Sequence, residues 1–443
     1  MIIRNGTIAT PTKTFKADIE IEGSKIKRVK KSIPRKNKKE INANGLVILP
    51  GLIDSHVHFR DPPGKKVPEN FYSGTASALS GGVTTIIDMP NNTPPQDNVH
   101  RFFDKKENAR RRAVCDYAFH FGASFSNFAE AKKAGKDHAV ASLKAYTSST
   151  TGPLLLYQEE SLQHHFASFN PKKPVSVHAE DEEAVHHLHE EYQEKFPKAT
   201  VNIHNKIHPP SASAAGASLA LSLAKKEKRK IHLCHISTQS EIALIKKAKK
   251  QGTKVSCEVA PHHLFLTEKH LHTLGNLGKT NPPLRSKNDV EATWHALKNG
   301  DIDIIASDHA PHELQEKRKN YWHAPSGVPG TETIMPLMLS AVNKHKITLN
   351  RVVQACCQKP AEIFNLKSKG EITQGKDADL VIIDLKKQHE IKADNLHSAC
   401  NWTPFEGIKV QGKIEKVILR GKEAFDGENI LLRHGDGKPA KTL

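Results

Sequence analysis

The chain has 443 residues, of which 37% are hydrophobic and 26% charged, a composition typical of a soluble protein with a large core. No apolar run has the length of a membrane-spanning helix, the start of the chain lacks a secretory signal, and the six cysteines are scattered, so we expect reduced thiols and a cytoplasmic protein. The net charge is +18, but aromatic residues, which nucleic-acid-binding surfaces commonly use for stacking, make up only 6% of the chain. We therefore expect a lysine-rich solvated surface that attracts small acidic substrates.

Both ends of the chain have the pattern of short β-strands. Strand-like runs occur at residues 2–8, 18–23, 378–384 and 414–421. We therefore predict one small β-sandwich domain built from both termini, residues 1–50 and 369–443, beside a larger domain of residues 51–368. The polar residues from His434 onward are expected to fray.

The long middle segment alternates apolar strands with helical stretches. The predicted strands are residues 46–53, 84–90, 115–122, 141–147, 174–180, 231–237, 254–260 and 302–308. Ser240, for example, is a suitable N-cap for a helix that stops before Gly252. Strand–helix units of this kind predict an α/β fold, a (β/α)8 TIM barrel. An open doubly wound sheet is the alternative, but it normally carries a glycine-rich phosphate loop after its first strand, where this chain has histidines.

The segment that follows the first buried strand is Asp54-Ser55-His56-Val57-His58-Phe59-Arg60-Asp61. Because side chains alternate across a strand, we expect His56, His58 and Arg60 to share one side. Two imidazoles at this spacing can bind one metal ion, and imidazole suits zinc. Arg60 would then lie just beyond the metal, where its guanidinium can hold an anion.

Four further candidate residues end later strands, where the catalytic side chains of barrels of this type lie. They are Lys144, His178, His235 and Asp308. Alternation along the strand predicts that Leu233 and His235 face one way, and that His232 packs behind the barrel wall. Imidazole, carboxylate and lysine side chains together suit two divalent metals better than one.

Lys144 has two interpretations. A buried lysine amine with a depressed pKa can react with carbon dioxide to give an anionic carbamate, whose two oxygens can bridge two metals; the alternative is a salt-bridged barrel lysine. Two metals about 3.5–4 Å apart would hold one hydroxide and polarise a carbonyl. Asp308 could then take the hydroxide's proton and return it to the leaving group. The site therefore predicts hydrolysis of a carbon–nitrogen bond.

Taken together, these residues resemble the amidohydrolase superfamily and, within it, the class I dihydroorotases, over nearly the whole chain. The matching motifs are Asp54-x-His56-x-His58-x-Arg60, Gly81-Gly82-Val83-Thr84-Thr85, Met89-Pro90-Asn91, Lys144 followed by Ser148-Ser149-Thr150-Thr151-Gly152, His178-Ala179-Glu180, His235-Ile236-Ser237, Asn281-Pro282-Pro283-Leu284-Arg285, Asp308-His309-Ala310-Pro311-His312 and Ser326-Gly327. One departure is an additional proline in Pro62-Pro63-Gly64, which lengthens the loop after Arg60.

The resemblance implies reversible hydrolysis of the cyclic amide of (S)-dihydroorotate to N-carbamoyl-L-aspartate in de novo pyrimidine biosynthesis. It implies two zinc ions, with His56, His58 and Asp308 on one, His178 and His235 on the other, and carboxylated Lys144 between them. Asp308 would be the catalytic base. The implied substrate contacts are His58, Arg60, Asn91, Asn281, His312, Ser326 and Gly327.

Other functions remain as alternatives. Allantoinases and dihydropyrimidinases or hydantoinases share the fold, metals and chemistry, but their substrates lack the ring carboxylate and their motif lacks the arginine at the position of Arg60. A metal-free relative that serves only as a structural partner of aspartate carbamoyltransferase would have lost ligands, and all six are present here. A homodimer and association with aspartate carbamoyltransferase stay open, as does whether residues 313–324 form a lid or an ordinary solvated loop.

Overall fold

The computed structural model describes residues 1–34, 39–61, 69–149 and 154–442. The strands are β1 (Ile2–Ala9), β2 (Thr14–Glu22), β3 (Lys25–Lys30), β4 (Glu40–Asn42), β5 (Val47–Pro50), β6 (Leu52–Val57), β7 (Val83–Asp88), β8 (Asp116–Gly122), β9 (Val140–Tyr146), β10 (Val175–His178), β11 (Ile231–Leu233), β12 (Val255–Val259), β13 (Ile304–Ile305), β14 (Leu380–Glu390), β15 (Lys409–Leu419) and β16 (Lys422–Phe425).

Helices fill the connections between these strands. They are α1 (Phe71–Ser80), α2 (Val99–Arg112), α3 (Phe128–Ala134), α4 (Glu159–Ser168), α5 (Glu182–Lys195), α6 (His204–Ile207), α7 (Pro210–Lys226), α8 (Gln239–Lys250), α9 (Pro261–Phe265), α10 (Leu271–Leu274), α11 (Lys287–Asn299), α12 (Leu314–Lys317), α13 (Ile334–Asn343), α14 (Leu349–Val353) and α15 (Lys359–Ile363). Helix α8 ends before Gly252 as predicted, but its N-cap is Thr238 rather than Ser240, because Thr238 and Glu241 cap each other reciprocally. No helix in the described ranges is both long and apolar enough to cross a membrane.

Strands β6 to β13 form the barrel. They lie side by side in chain order, and each neighbouring pair is parallel. A parallel bridge between Val57, at the end of β6, and His309, beyond β13, closes the ring. The interior contains apolar side chains such as Ile53, Ile87 and Ile304, which pack with Phe364. Catalytic side chains of such barrels lie at the C-terminal ends of the strands.

The strands from the two chain ends form a second, mostly antiparallel sheet, with the order β16-β15-β14-β5-β1-β2-β3 and β4 paired to β1. Together with the barrel, this confirms the predicted fold class. The predicted strand 46–53 is divided, because Val47–Pro50 pairs with β1 and β14 while the chain enters the barrel at Leu52. Gly51 permits the crossing, since a Cβ at this position would overlap the side chain of Thr84.

Described residues from His434 to Thr442 bond to the barrel, so the expectation that residues from His434 onward fray is wrong for this part of the tail. The backbone N–H of Ala440 donates to the Tyr117 carbonyl over 2.7 Å, and the Thr442 hydroxyl donates to the Val140 carbonyl over 2.8 Å. These bonds pair the tail with the starts of β8 and β9. A polar composition therefore did not prevent the tail from satisfying barrel backbone groups.

Candidate active site

Three of the predicted ligands meet at the C-terminal end of β6. The Nε2 atoms of His56 and His58 lie 3.1 Å apart, and Asp308 Oδ1 is 3.2 Å from each of them. All three residues are buried. Burial lowers the pKa of His56 to about 4 and that of His58 well below its ordinary value, so both imidazoles are neutral near pH 7. Neutral imidazole nitrogens beside a carboxylate form a donor set suited to zinc.

The other predicted ligands lie across the barrel mouth. His178 Nδ1 and His235 Nε2 are 2.9 Å apart, and the ring centroids of His56 and His235 are separated by 5.4 Å. Lys144 is completely buried, and its Nζ lies 3.0 Å from the Sγ of Cys234. Lys144 forms no ion pair with any described residue, so the alternative of a salt-bridged barrel lysine has no support.

The arrangement fits a pair of divalent metals. Two pairs of imidazole nitrogens face each other at 3.1 and 2.9 Å in a buried site. Two neutral imidazoles in this position would repel through their lone pairs unless a proton or a cation lay between them. The buried carboxylate of Asp308 adds an anionic ligand, and the buried Lys144 would join the set only as its anionic carbamate.

Glu258 orients the first histidine and was not singled out from the sequence. His56 Nδ1 donates a short hydrogen bond to Glu258 Oε1, which leaves His56 Nε2 to face the metal position. Burial disfavours the charged form of Glu258, but the adjacent His56 and His232 outweigh it and hold the carboxyl pKa well below its usual range. A glutamate near the C-terminal end of a predicted barrel strand, residues 254–260, was the available signal.

His232 is not behind the barrel wall, so that prediction is wrong. Its Nε2 donates to Glu258 Oε2 over 3.0 Å, which places the imidazole inside the barrel beneath the metal ligands. The alternation argument failed because β11 ends at Leu233 and His235 adopts a positive φ of 32°. Arg60 and Asp308 also lie beyond their strands, with φ of 55° and 49°. Left-handed backbone is uncommon for such residues and occurs often at functional sites.

A narrow cavity is lined by five of the six predicted metal ligands and gathers most of the predicted substrate contacts. Its lining residues are His56, His58, Arg60, Asn91, Tyr146, His178, His235, Asn281, Asp308, Ala310, Ser326 and Gly327. A wider cavity of about 520 Å³ shares the lining residues Asn281 and Ser326 with it. Among the predicted contacts, His312 lies behind this wall, where its Nε2 donates to the Ser326 carbonyl over 3.0 Å. Tyr146 and Ala310 line the cavity without having been predicted to do so.

Arg60 provides the positive charge of this cavity. The residue is 9% exposed, and its Nη1 donates to the Pro311 carbonyl over 2.9 Å. Its Nε has no partner, and no carboxylate of the described residues forms an ion pair with it. A buried guanidinium is costly unless something anionic compensates it. The cavity is therefore suited to a ligand that carries a carboxylate.

Two buried lysines anchor the segment that was a candidate lid, residues 313–324. Lys317 Nζ donates to the carbonyls of Lys279, Pro325 and Gly327 over 3.1, 2.9 and 2.9 Å. Lys279 Nζ donates in turn to the carbonyls of Tyr321 and Ala324 over 2.9 and 2.7 Å. The segment is thus fixed from within, and the backbone on both sides of Ser326 is fixed with it. The additional proline, in Pro62-Pro63-Gly64, and Thr150-Thr151-Gly152 lie outside the described residues.

Comparison with known proteins places this geometry in a family. The model of the amidohydrolase family matches residues 47–424. The chain belongs to the amidohydrolase family. This amidohydrolase is 36% identical over 448 residues to the dihydroorotase of Methanosarcina mazei, covering 98% of this chain and 96% of that protein. It is 37% identical over 430 residues to the dihydroorotase of Pyrococcus horikoshii, covering 96% and 91%.

Among solved structures, the amidohydrolase is similar to L-hydantoinase (dihydropyrimidinase) from Arthrobacter aurescens. The TM-score is 0.95, the sequence identity is 28%, and 99% of each chain is covered. The predicted family resemblance is confirmed. The barrel is shared by proteins named for different substrates, so the choice between substrates must come from the cavity.

Proposed function

We propose that the chain is a dihydroorotase that reversibly hydrolyses the cyclic amide of (S)-dihydroorotate to N-carbamoyl-L-aspartate in pyrimidine biosynthesis. The observation that carries this proposal is Arg60, a buried guanidinium that lines the cavity beside the histidines without a carboxylate partner. Dihydroorotate has a ring carboxylate that would pair with it, whereas neutral cyclic amides do not. The names of the relatives and the six free, buried cysteines support a biosynthetic enzyme of a reducing compartment, the cytoplasm.

We propose that His56, His58 and Asp308 hold one zinc ion, that His178 and His235 hold a second, and that carboxylated Lys144 lies between them. Metals bound there would supply an activated water at neutral pH and a polarised amide carbonyl. The neutral imidazoles and the tautomer that Glu258 imposes on His56 support this assignment.

Asp308 moves the proton in this proposal. Burial raises the pKa of its carboxyl above the ordinary value, opposed by the nearby His56 and Lys144, so the group is a stronger base than an exposed aspartate. Its Oδ1 faces the two imidazoles, which leaves Oδ2 to take a proton from the attacking water. The same carboxyl then delivers that proton to the ring nitrogen as the amide bond opens, and the order reverses on ring closure.

The cavity wall orients the substrate. Arg60 grips the carboxylate, and Asn91 lies beside it with its Oδ1 held by His58 Nδ1 over 2.6 Å. Asn281, Ser326 and Gly327 line the same cavity and would contact the ring. Holding the carboxylate at a fixed distance from the metal ligands places the amide carbonyl for attack.

A hydantoinase or dihydropyrimidinase is the second candidate, favoured by the TM-score of 0.95 to such an enzyme. The test is kcat/KM of the metal-loaded protein for dihydroorotate, dihydrouracil and allantoin. We expect dihydroorotate to be the best substrate of the three. A higher value for either neutral substrate would reject the proposal, and a metal-loaded protein that turns over none of the three would reject it as well.

A further inference from the structure

Tyr146 is a cavity residue that the proposed reaction has not yet used. It ends β9 two residues after Lys144, so the two side chains extend from the same face of the strand at successive levels. Lys144 Nζ lies 4.8 Å from the centre of the Tyr146 ring, and the rings of Tyr146 and His178 are 6.1 Å apart. The phenol therefore stands one level above the metal ligands, toward the mouth of the barrel, as Arg60 does.

The hydroxyl of Tyr146 is buried without a hydrogen bond. The residue is 3% exposed, and its hydroxyl oxygen has no partner among the described residues. Leaving a buried hydroxyl unpaired is unfavourable, and tyrosines buried in proteins usually find a partner for this group. A phenol has an ordinary pKa of about 10, so the hydroxyl keeps its proton and acts as a donor at neutral pH.

The neighbours of the phenol indicate which part of a ligand it would meet. Tyr146 and Arg60 line the same cavity. A carboxylate has two oxygens and about four lone-pair sites, so a guanidinium on one side leaves room for a further donor.

We propose that the Tyr146 hydroxyl donates a second hydrogen bond to the substrate carboxylate that Arg60 holds, and so helps to select dihydroorotate over neutral cyclic amides. This inference rests on the proposed function, because it requires a substrate with a ring carboxylate. A donor that stays neutral adds binding for an anion without adding a second buried charge. The competing assignment is a hydrogen bond to the reacting amide, which every cyclic amide possesses.

The test compares Tyr146→Phe with wild type, and uses Tyr117→Phe as the matched control. Tyr117 is a buried tyrosine of the adjacent strand β8 that does not line the cavity. We expect Tyr146→Phe to lower kcat/KM for dihydroorotate roughly ten- to hundredfold, the range for losing a hydrogen bond to a charged group. Its kcat/KM for dihydrouracil should stay unchanged, and Tyr117→Phe should leave both values unchanged. Equal losses for both substrates, or no loss at all, would overturn the proposal.

A binding measurement on the metal-loaded proteins makes the same comparison without turnover. Calorimetry should show at least about tenfold weaker binding of orotate, which has the carboxylate, to Tyr146→Phe, with binding of uracil unchanged. Metal content and melting temperature equal to wild type would establish that the variant is folded. If wild type hydrolyses no dihydroorotate, the proposed function fails. If wild type does so and Tyr146→Phe binds orotate equally well, only the role of Tyr146 fails.

Discussion

Trp402 donates its indole N–H to the carbonyl oxygen of His312 over 2.8 Å. Trp402 lies in the connection between β14 and β15 of the terminal sheet, whereas His312 follows the last barrel strand. His312 Nε2 donates to the Ser326 carbonyl, and Lys317 Nζ lies 5.6 Å from the centre of the Trp402 ring. A segment that joins two strands of the terminal sheet thus supports the wall of the cavity.

Trp402→Phe should raise KM for dihydroorotate more than it lowers kcat. The change removes the donor to the His312 carbonyl, and leaving a buried carbonyl unpaired costs about 1–3 kcal/mol of free energy. We expect the Ser326 segment to shift in response, which would weaken substrate binding. Trp294→Phe is the control, because its indole donates to the Leu264 carbonyl over 2.6 Å and it does not line the cavity. Steady-state kinetics that show equal KM values for the two variants would contradict this role.

Lys317→Met should destabilise the protein and raise KM. The ammonium donates to three carbonyls, and each one left unpaired in the interior costs about 1–3 kcal/mol, reduced where the loop can relax toward water. Lys173→Met is the matched control, since that buried lysine donates to the Asp137 carbonyl over 2.6 Å away from the cavity. Chemical denaturation and KM measured on both variants make the comparison. A Lys317→Met protein with wild-type KM would show that the lysine serves stability alone.

Some parts of the site could be predicted from local patterns and others could not. Lys144 and His178 lie on strands, so the position of a strand end was enough to place them. Alternation along the strand could not predict that His232 and His235 both face the barrel interior. The positive φ of His235 turns the chain after the strand, so the two side chains do not lie on opposite faces. Glu258 was missed for a different reason. Its contact with His56 joins residues 202 positions apart, and a local pattern has no information on such a pair.

His397 should make stability depend on pH. Its Nδ1 donates to Glu332 Oε1 over 2.9 Å, and this hydrogen bond raises its pKa above the ordinary 6.5, against the effect of burial. Because folding raises this pKa, protonated His397 stabilises the native state fully at pH values below 6.5. The stabilisation disappears as the pH rises through the pKa of the folded state. The pair is partly exposed, so the contribution is at most about 1 kcal/mol.

The measurement is the melting temperature of wild type and His397→Gln at about pH 6 and about pH 9. The difference between the two proteins should be larger at the lower pH. His186→Gln is the control, because His186 is 65% exposed beside Glu190 and should make little difference at either pH. A difference for His397→Gln that grows toward high pH would contradict the sign of this argument.

Lys144→Ala should lose the second metal and most activity. A lysine without carbon dioxide is a cation and cannot lie between two metal cations, whereas its carbamate can. A short-chain carboxylic acid in solution should restore part of the metal content and of the turnover, because its two oxygens can replace those of the carbamate. Metal analysis and kinetics with and without the acid test this. Two metals and full activity in the variant would make Lys144 an ordinary structural lysine.

Arg60→Met should lower kcat/KM for the substrate with a carboxylate much more than for a neutral substrate. Removing one partner of a buried, hydrogen-bonded charge pair costs about 2–5 kcal/mol, so kcat/KM for dihydroorotate should fall roughly thirty- to five-thousandfold. Dihydrouracil has no carboxylate and should lose little or gain, because a buried charge is removed. Arg229→Met is the control, since Arg229 donates only to the carbonyls of Phe169, Asn170 and Lys173 away from the cavity. It should change both substrates alike. Equal losses for both substrates in Arg60→Met would mean that Arg60 only supports the histidines, and the physical argument for dihydroorotate would lose its basis.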